Sequence, residues 1–148
     1  MRPWIGLAVW LALAVPVWGA DGLVEVKSPY APKETMDRLE GILKNKGMTI
    51  FARVDHAAGA ARVGKNLRAT ELLIFGNPQG GTPLMECSQT AGIDLPLKAL
   101  VREDESGQVW LGYNDPAYLA GRHGAARCPV VANLAKALAG FAQEAVAK

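Results

Sequence analysis

Two histidines, His56 and His123, two cysteines, Cys87 and Cys128, and the thioether of Met85 are the side chains here with soft-metal or proton-transfer chemistry. Imidazole, thiolate and thioether together would suit copper or zinc. Their spacing fits no cupredoxin pattern, and a disulfide would consume both thiolates. Met85 also falls on the apolar face of a short helix, so no metal and no cofactor are expected. His56 ends an apolar strand and is followed by the small residues Ala57, Ala58 and Gly59. A histidine there could titrate near neutrality. It could serve as a general base with Asp115 or His123, or simply donate to a loop carbonyl, which is the plainer role.

A second candidate is the passage from Asn77 through Gly80, Gly81 and Thr82, in the stretch GNPQGGT. Backbone amides at a helix start can hold an anion, because their donors and the helix dipole point outward. Pro83 removes one donor, and a tight turn with a threonine cap is the simpler reading. Asn114 and Asp115 end a strand and could do acid–base work. Yet the spelling NDP is what a capped helix beginning with proline requires. The chain has no GxSxG, HExxH, Walker loop, GxGxxG or CxxC.

The elements that must position these groups follow from periodicity. Leu23 to Lys27 alternates apolar and charged residues, as a half-buried strand does. Pro32 opens a helix with Glu34 in its first turn; Met36, Leu39, Ile42 and Leu43 make its apolar stripe and Gly47 stops it. Met48 to His56 reads as a strand with Met48, Ile50, Ala52, Val54 and His56 on one face. Ala57 to Val63 is a short helix or turn. Glu71 to Phe75 is apolar on both faces and reads as a central strand.

Thr82 is expected to cap a helix from Pro83 to Gly92. Leu97, Ala99 and Val101 then alternate with Lys98, Leu100 and Arg102. The loop Glu105-Ser106-Gly107 suits a three-residue hairpin with Gly107 left-handed. That register sets Val101 opposite Leu111 and Arg102 opposite Trp110, with the guanidinium on the indole. Asp115 caps the next helix, and a last helix from Pro129 carries Val131, Leu134, Leu138 and Phe141 on one stripe. The fold class is α+β: an antiparallel sheet of about five strands with helices mainly on one face.

The phrases FGNP, GTPLM, GIDLPLKALV and YNDPAYL resemble the domain-of-unknown-function family 302 (DUF302). The likeness continues through SPYAPKETMDRLEGILKNKG and FARVDHAA to the C-terminal helix. It implies this α+β fold and carries over no catalytic residue. VDHAA belongs to the family-like pattern, which keeps His56 among the candidates. Cysteine is not demanded by the family pattern at positions 87 and 128.

Residues 1–20 read as a signal peptide, with an uncleaved membrane anchor the alternative. Arg2 gives a positive start, and Trp4 to Trp18 is an uncharged apolar run shorter than the ~20 residues that span a bilayer. Cleavage is expected after Gly19 or Ala20. Residues 21–148 then form a single domain, periplasmic or secreted, with no stable membrane span after cleavage. Arg2 is the only charge in the leader, so the remainder holds 15 basic and 14 acidic residues, a formal net of +1. No basic stripe appears, and nucleic acid is not an expected partner. Two cysteines in an oxidising compartment read first as one disulfide, with separate buried thiols or metal ligands the alternative.

The function expected is a non-enzymatic module that binds a small molecule or a partner. Its pocket would lie between helices and sheet, around His56, Asn77, Gly80, Gly81, Thr82, Met85 and His123. A homodimer is expected through the outer sheet face, where Leu100 and Trp110 lie. The alternatives are an enzyme with His56 as general base, or a metal or haem carrier.

Overall fold

The structure is a computed structural model and describes residues 20–148. The expected leader and its cleavage point lie outside the described residues, apart from Ala20. The elements run β1 (Leu23–Ser28), α1 (Pro32–Asn45), β2 (Thr49–Asp55), α2 (His56–Arg62) and β3 (Thr70–Gly76). There follow α3 (Pro78–Cys87), a 3₁₀ turn (Gln89–Ile93), β4 (Leu97–Glu103), β5 (Val109–Asn114), α4 (Pro116–Arg122) and α5 (Val130–Val146).

The five strands form one antiparallel sheet in the order β1-β5-β4-β3-β2. Glu71–Phe75 does have a strand on each side, although β4 occupies the middle. Two helices, α1 and α5, lie side by side on one face of the sheet. Met36, Leu39 and Leu43 of α1 and Leu138, Ala142 and Ala145 of α5 meet Leu73, Phe75, Ala99, Val101, Leu111 and Tyr113 of the sheet in one buried cluster. Each large side chain so buried contributes about 1.5–3 kcal/mol relative to exposure. A smaller cluster holds Leu84, Ala91, Ala120, Ala125, Cys128 and Val131 beyond one end of the sheet. The fold is α+β, as the residue pattern implies.

The hairpin has the register that its pattern requires. Val101 faces Leu111 and Arg102 faces Trp110, and Gly107 takes φ +80°. The Arg102 guanidinium lies 5.8 Å from the Trp110 ring centre, and Lys27 Nζ lies 5.4 Å from it. Arg102 also pairs with Glu25 through Nε at 2.9 Å and Nη2 at 3.0 Å.

β2 differs from the simple alternation. Ile50 lies opposite Phe75 but Ala52 lies opposite Ile74, so Phe51 is an extra residue in the ladder. This bulge reverses the faces after position 51. Ile50 shares the helix side with Arg53, while Ala52 and Val54 turn to the outer face. Arg53 is thereby aimed at α1, where it pairs with Asp37 at 2.6 Å and Glu40 at 3.1 Å, as well as with Glu71 on β3.

Strand direction decides which candidates can meet. β3 ends and β4 begins at the Gly76/Leu97 end, and β5 delivers α4 to that same end. β2 runs the other way, so His56 and α2 emerge at the opposite end. Seven residues of strand separate the two ends by about 20 Å.

Candidate functional site

A cavity of about 390 Å³ lies at the Gly76/Leu97 end. One wall is α3 and its start: Asn77, Pro78, Gly80, Gly81, Thr82 and Met85. Met48, Phe51 and Leu134 close a second side, and Gly92, Leu95, Pro96 and Leu97 a third. Its surface is mainly apolar, and no charged side chain lines it. The Leu95–Pro96 peptide in its wall is cis.

The α3 wall starts earlier than the threonine cap would place it. Asn77 is the N-cap and Pro78 the first helical residue, while Pro83 sits inside the helix. Asn77 Oδ1 accepts from Gly80 N at 2.8 Å. Asn77-Pro78 and Thr82-Pro83 carry the same local cap signal; the earlier one wins because α3 packs tightly on α5. A Cβ at Gly80 would stand 3.3 Å from Leu134 Cδ2. The glycines therefore admit a neighbouring helix rather than loosen a lead-in. The anion cradle also fails, because the amides of Gly80 and Gly81 both donate to Asn77, at 3.2 and 3.1 Å to its carbonyl.

Five of the seven candidates, Asn77, Gly80, Gly81, Thr82 and Met85, line this cavity. The histidines do not. His56 is exposed at the first position of α2, after Asp55, whose Oδ1 caps Ala58 N at 2.8 Å. It lies at the far end of the sheet from both Asp115 and His123, so the general-base pairing is not assembled. Asp115 caps α4 by accepting from Ala117 N at 2.9 Å.

His123 is fixed elsewhere. Its Nε2 lies 2.6 Å from Asp94 Oδ2 and its Nδ1 lies 2.9 Å from Thr90 Oγ1. Arg122 Nη1 donates to the same Asp94 carboxylate at 2.9 and 3.1 Å. Cys87 and Cys128 form a disulfide, which takes both thiolates out of the soft-metal set. The five residues of that set thus divide among the exposed start of α2, the Asp94–Thr90 set, the cavity wall and the disulfide.

Pattern reading missed Met48, Phe51, Leu95, Pro96 and Leu134 as cavity residues. Met48 and Leu134 looked like ordinary core positions, and the Phe51 bulge leaves no signature in alternation. Asp94 and Thr90 were missed because their partner is 29 and 33 residues away.

The family model described as "Domain of unknown function DUF302" matches residues 24–141. The fluoride-specific ion channel FluC 1 of Brucella suis biovar 1 (strain 1330) is 55% identical over 103 residues, 70% of this chain and 41% of that protein. FluC 2 of Brucella melitensis biotype 1 is likewise 55% identical over 103 residues, 70% of this chain and 38% of that protein. The chain thus spans about two fifths of the curated relatives it matches. A crystal structure described as an uncharacterized conserved DUF302 protein from Bacillus stearothermophilus superposes with a TM-score of 0.76 at 23% identity. It covers 85% of this chain and 99% of its own, and at that identity it speaks to the fold. With the matched region running from β1 into α5, the chain belongs to the DUF302 family.

Proposed function

We propose that this protein is an exported module that binds a small, uncharged, largely apolar molecule in the cavity between α3, α5 and the sheet. The cavity itself carries the reading. About 390 Å³ lies in the range of small-molecule sites. Its lining offers thioethers, a phenyl ring and prolines, with only the Asn77 amide and Thr82 hydroxyl to orient a guest. A charged ligand would find no counter-ion in the lining and would lose its hydration. Export is supported by the apolar leader pattern of residues 1–20 and by the disulfide, which suits an oxidising compartment.

A homodimer through the outer sheet face completes this reading. That face carries Val54, Leu72, Ile74 and Leu100 opposite the helix layer, with Val54 among the exposed apolar residues. Light scattering on eluting protein tests it, and a strict monomer at high micromolar concentration would remove it. The ligand reading is tested by titrating the purified protein with N-phenyl-1-naphthylamine, an uncharged apolar fluorophore. Saturable binding with one site per chain is expected. Failure to bind, with native mass spectrometry also finding no retained apolar molecule, would sink the reading.

The Brucella relatives favour a second reading, in which the domain works beside a membrane anion channel. A segment 55% identical to this chain is part of polypeptides named fluoride channels. Among the described residues no helix is long and apolar enough to cross a membrane, so the role would be that of an extramembrane partner rather than a pore. Liposomes holding the Brucella polypeptide without its matched segment provide the test. Added full chain should alter fluoride flux, and an unchanged flux would exclude the partnership.

A further inference from the structure

A hydrogen-bonded set joins the 3₁₀ turn, which Asp94 ends, to the end of α4 at His123. Arg122 Nη1 holds Asp94 at 2.9 and 3.1 Å, and Asp94 Oδ2 meets His123 Nε2 at 2.6 Å. His123 Nδ1 meets Thr90 Oγ1 at 2.9 Å. The His123 side chain is only 7% exposed and Asp94 17%, whereas Thr90 is exposed. In the tautomer with its proton on Nε2, His123 donates to the carboxylate and its Nδ1 accepts from the Thr90 hydroxyl, which also lies 3.1 Å from Ser88 Oγ. A sheltered imidazole, oriented by an acid on one side, therefore faces an accessible hydroxyl on the other. This is the carboxylate–imidazole–hydroxyl logic of acyl-transfer sites, with the two ring nitrogens in exchanged roles.

From this geometry we propose that Thr90 is a nucleophile for small acyl esters, with His123 as its base and Asp94 as the residue that positions His123. Thr90 Oγ attacks the ester carbonyl carbon while His123 Nδ1 takes the hydroxyl proton. The tetrahedral adduct expels the alcohol, which receives that proton from Nδ1. Water, activated by the same nitrogen, then releases the carboxylic acid and restores the threonine. Atoms balance with water as the only co-reactant. Thr90 stands on an exposed turn outside the apolar cavity, so no pocket there favours a long acyl chain over acetyl. The disulfide joins Cys87, just before Ser88, to Cys128, beyond His123, and so fastens the two segments that carry the set.

The test uses the disulfide-intact protein and p-nitrophenyl acetate. Acid-quenched samples are digested, and the acetyl group is located by peptide mass spectrometry. Acetyl on Thr90 is expected, with nitrophenol release at least tenfold above that of Thr90→Val. Thr90→Ser should retain release. His123→Gln should lose it, and Asp94→Asn should reduce it and change its pH profile. Circular dichroism establishes that each variant is folded, and the Val/Ser pair decides the matter should His123→Gln fail to fold. Acetyl found on lysines or on Ser88 but not on Thr90, or release equal in Thr90→Val and wild type, would overturn the proposal.

Discussion

Asn77 Nδ2 donates to Met48 Sδ at 3.4 Å while its Oδ1 caps Gly80 N at 2.8 Å. One side chain thus starts α3 and ties it to the residue that leads into β2, so the cavity has two walls fixed by one amide. Asn77→Ala should cost about 1 kcal/mol, the usual loss for an N-cap. Asn77→Asp keeps the cap oxygen and should cost less. Urea titration measures both, and equal losses would show that the cap is not what the residue supplies.

Filling the cavity should abolish fluorophore binding without harming the fold. A Cβ at Gly81 would lie 3.5 Å from Leu95 Cδ1, an ordinary contact. Gly81→Leu should therefore seat its first carbon without strain and send its methyls into the cavity. Helix propensity favours the change by roughly 0.8 kcal/mol. Affinity for N-phenyl-1-naphthylamine should fall at least tenfold at unchanged or higher melting temperature. Undiminished binding would place the fluorophore elsewhere.

Arg53 joins α1 to the sheet, and its loss should be felt most at neutral pH. The Lys33 ammonium and then Arg53 hold the Asp37 carboxyl below its ordinary value. Lys44 and then Arg53 do the same for Glu40. A carboxyl held low stabilises the fold above the usual carboxylate range, and that contribution is lost as pH falls through the depressed value. Arg53→Met should cost about 2 kcal/mol at pH 7, between exposed and fully buried pairs. The deficit should shrink near pH 3, where urea midpoints of variant and wild type converge. Parallel curves at both pH values would refute the assignment.

Tyr113 governs the alkaline side. Burial first, and the nearby Asp115 charge second, raise its phenol above the ordinary value. The unfolded chain then ionises before the folded one, so stability is complete below about pH 10 and declines above it. Tyr113→Phe should move alkaline unfolding to higher pH. Trp110, the only tryptophan in residues 21–148, gives the emission signal. An unmoved midpoint would assign the alkaline transition to another group.

Reduction of the disulfide should destabilise the fold strongly. Its sequence separation of 41 residues corresponds to about 4 kcal/mol of chain entropy. Cys87→Ser with Cys128→Ser should match reduced wild type in urea, and neither should match the oxidised protein. Identical midpoints with and without dithiothreitol would sink this expectation.

Residue pattern alone sufficed wherever the deciding interaction lies within a few positions along the chain. Asp115-Pro116 caps α4, Gly107 turns the hairpin, and Val101 faces Leu111, because cap, turn and register chemistry are local. Asn77, Gly80, Gly81, Thr82 and Met85 were legible as neighbours for the same reason, being one stretch of backbone.

Tertiary structure decided the rest. Asn77 and Thr82 send equal cap signals, and the close approach of Gly80 to Leu134 selects between them. Phe51 bulges because β2 must offer Ile50 to Phe75 and Arg53 to three carboxylates at once, which strict alternation forbids. His56 was parted from the other candidates by strand direction, and His123 was joined to Asp94 and Thr90 by the meeting of two segments distant in the chain. Such pairings depend on which surfaces are buried together, and periodicity carries no record of that.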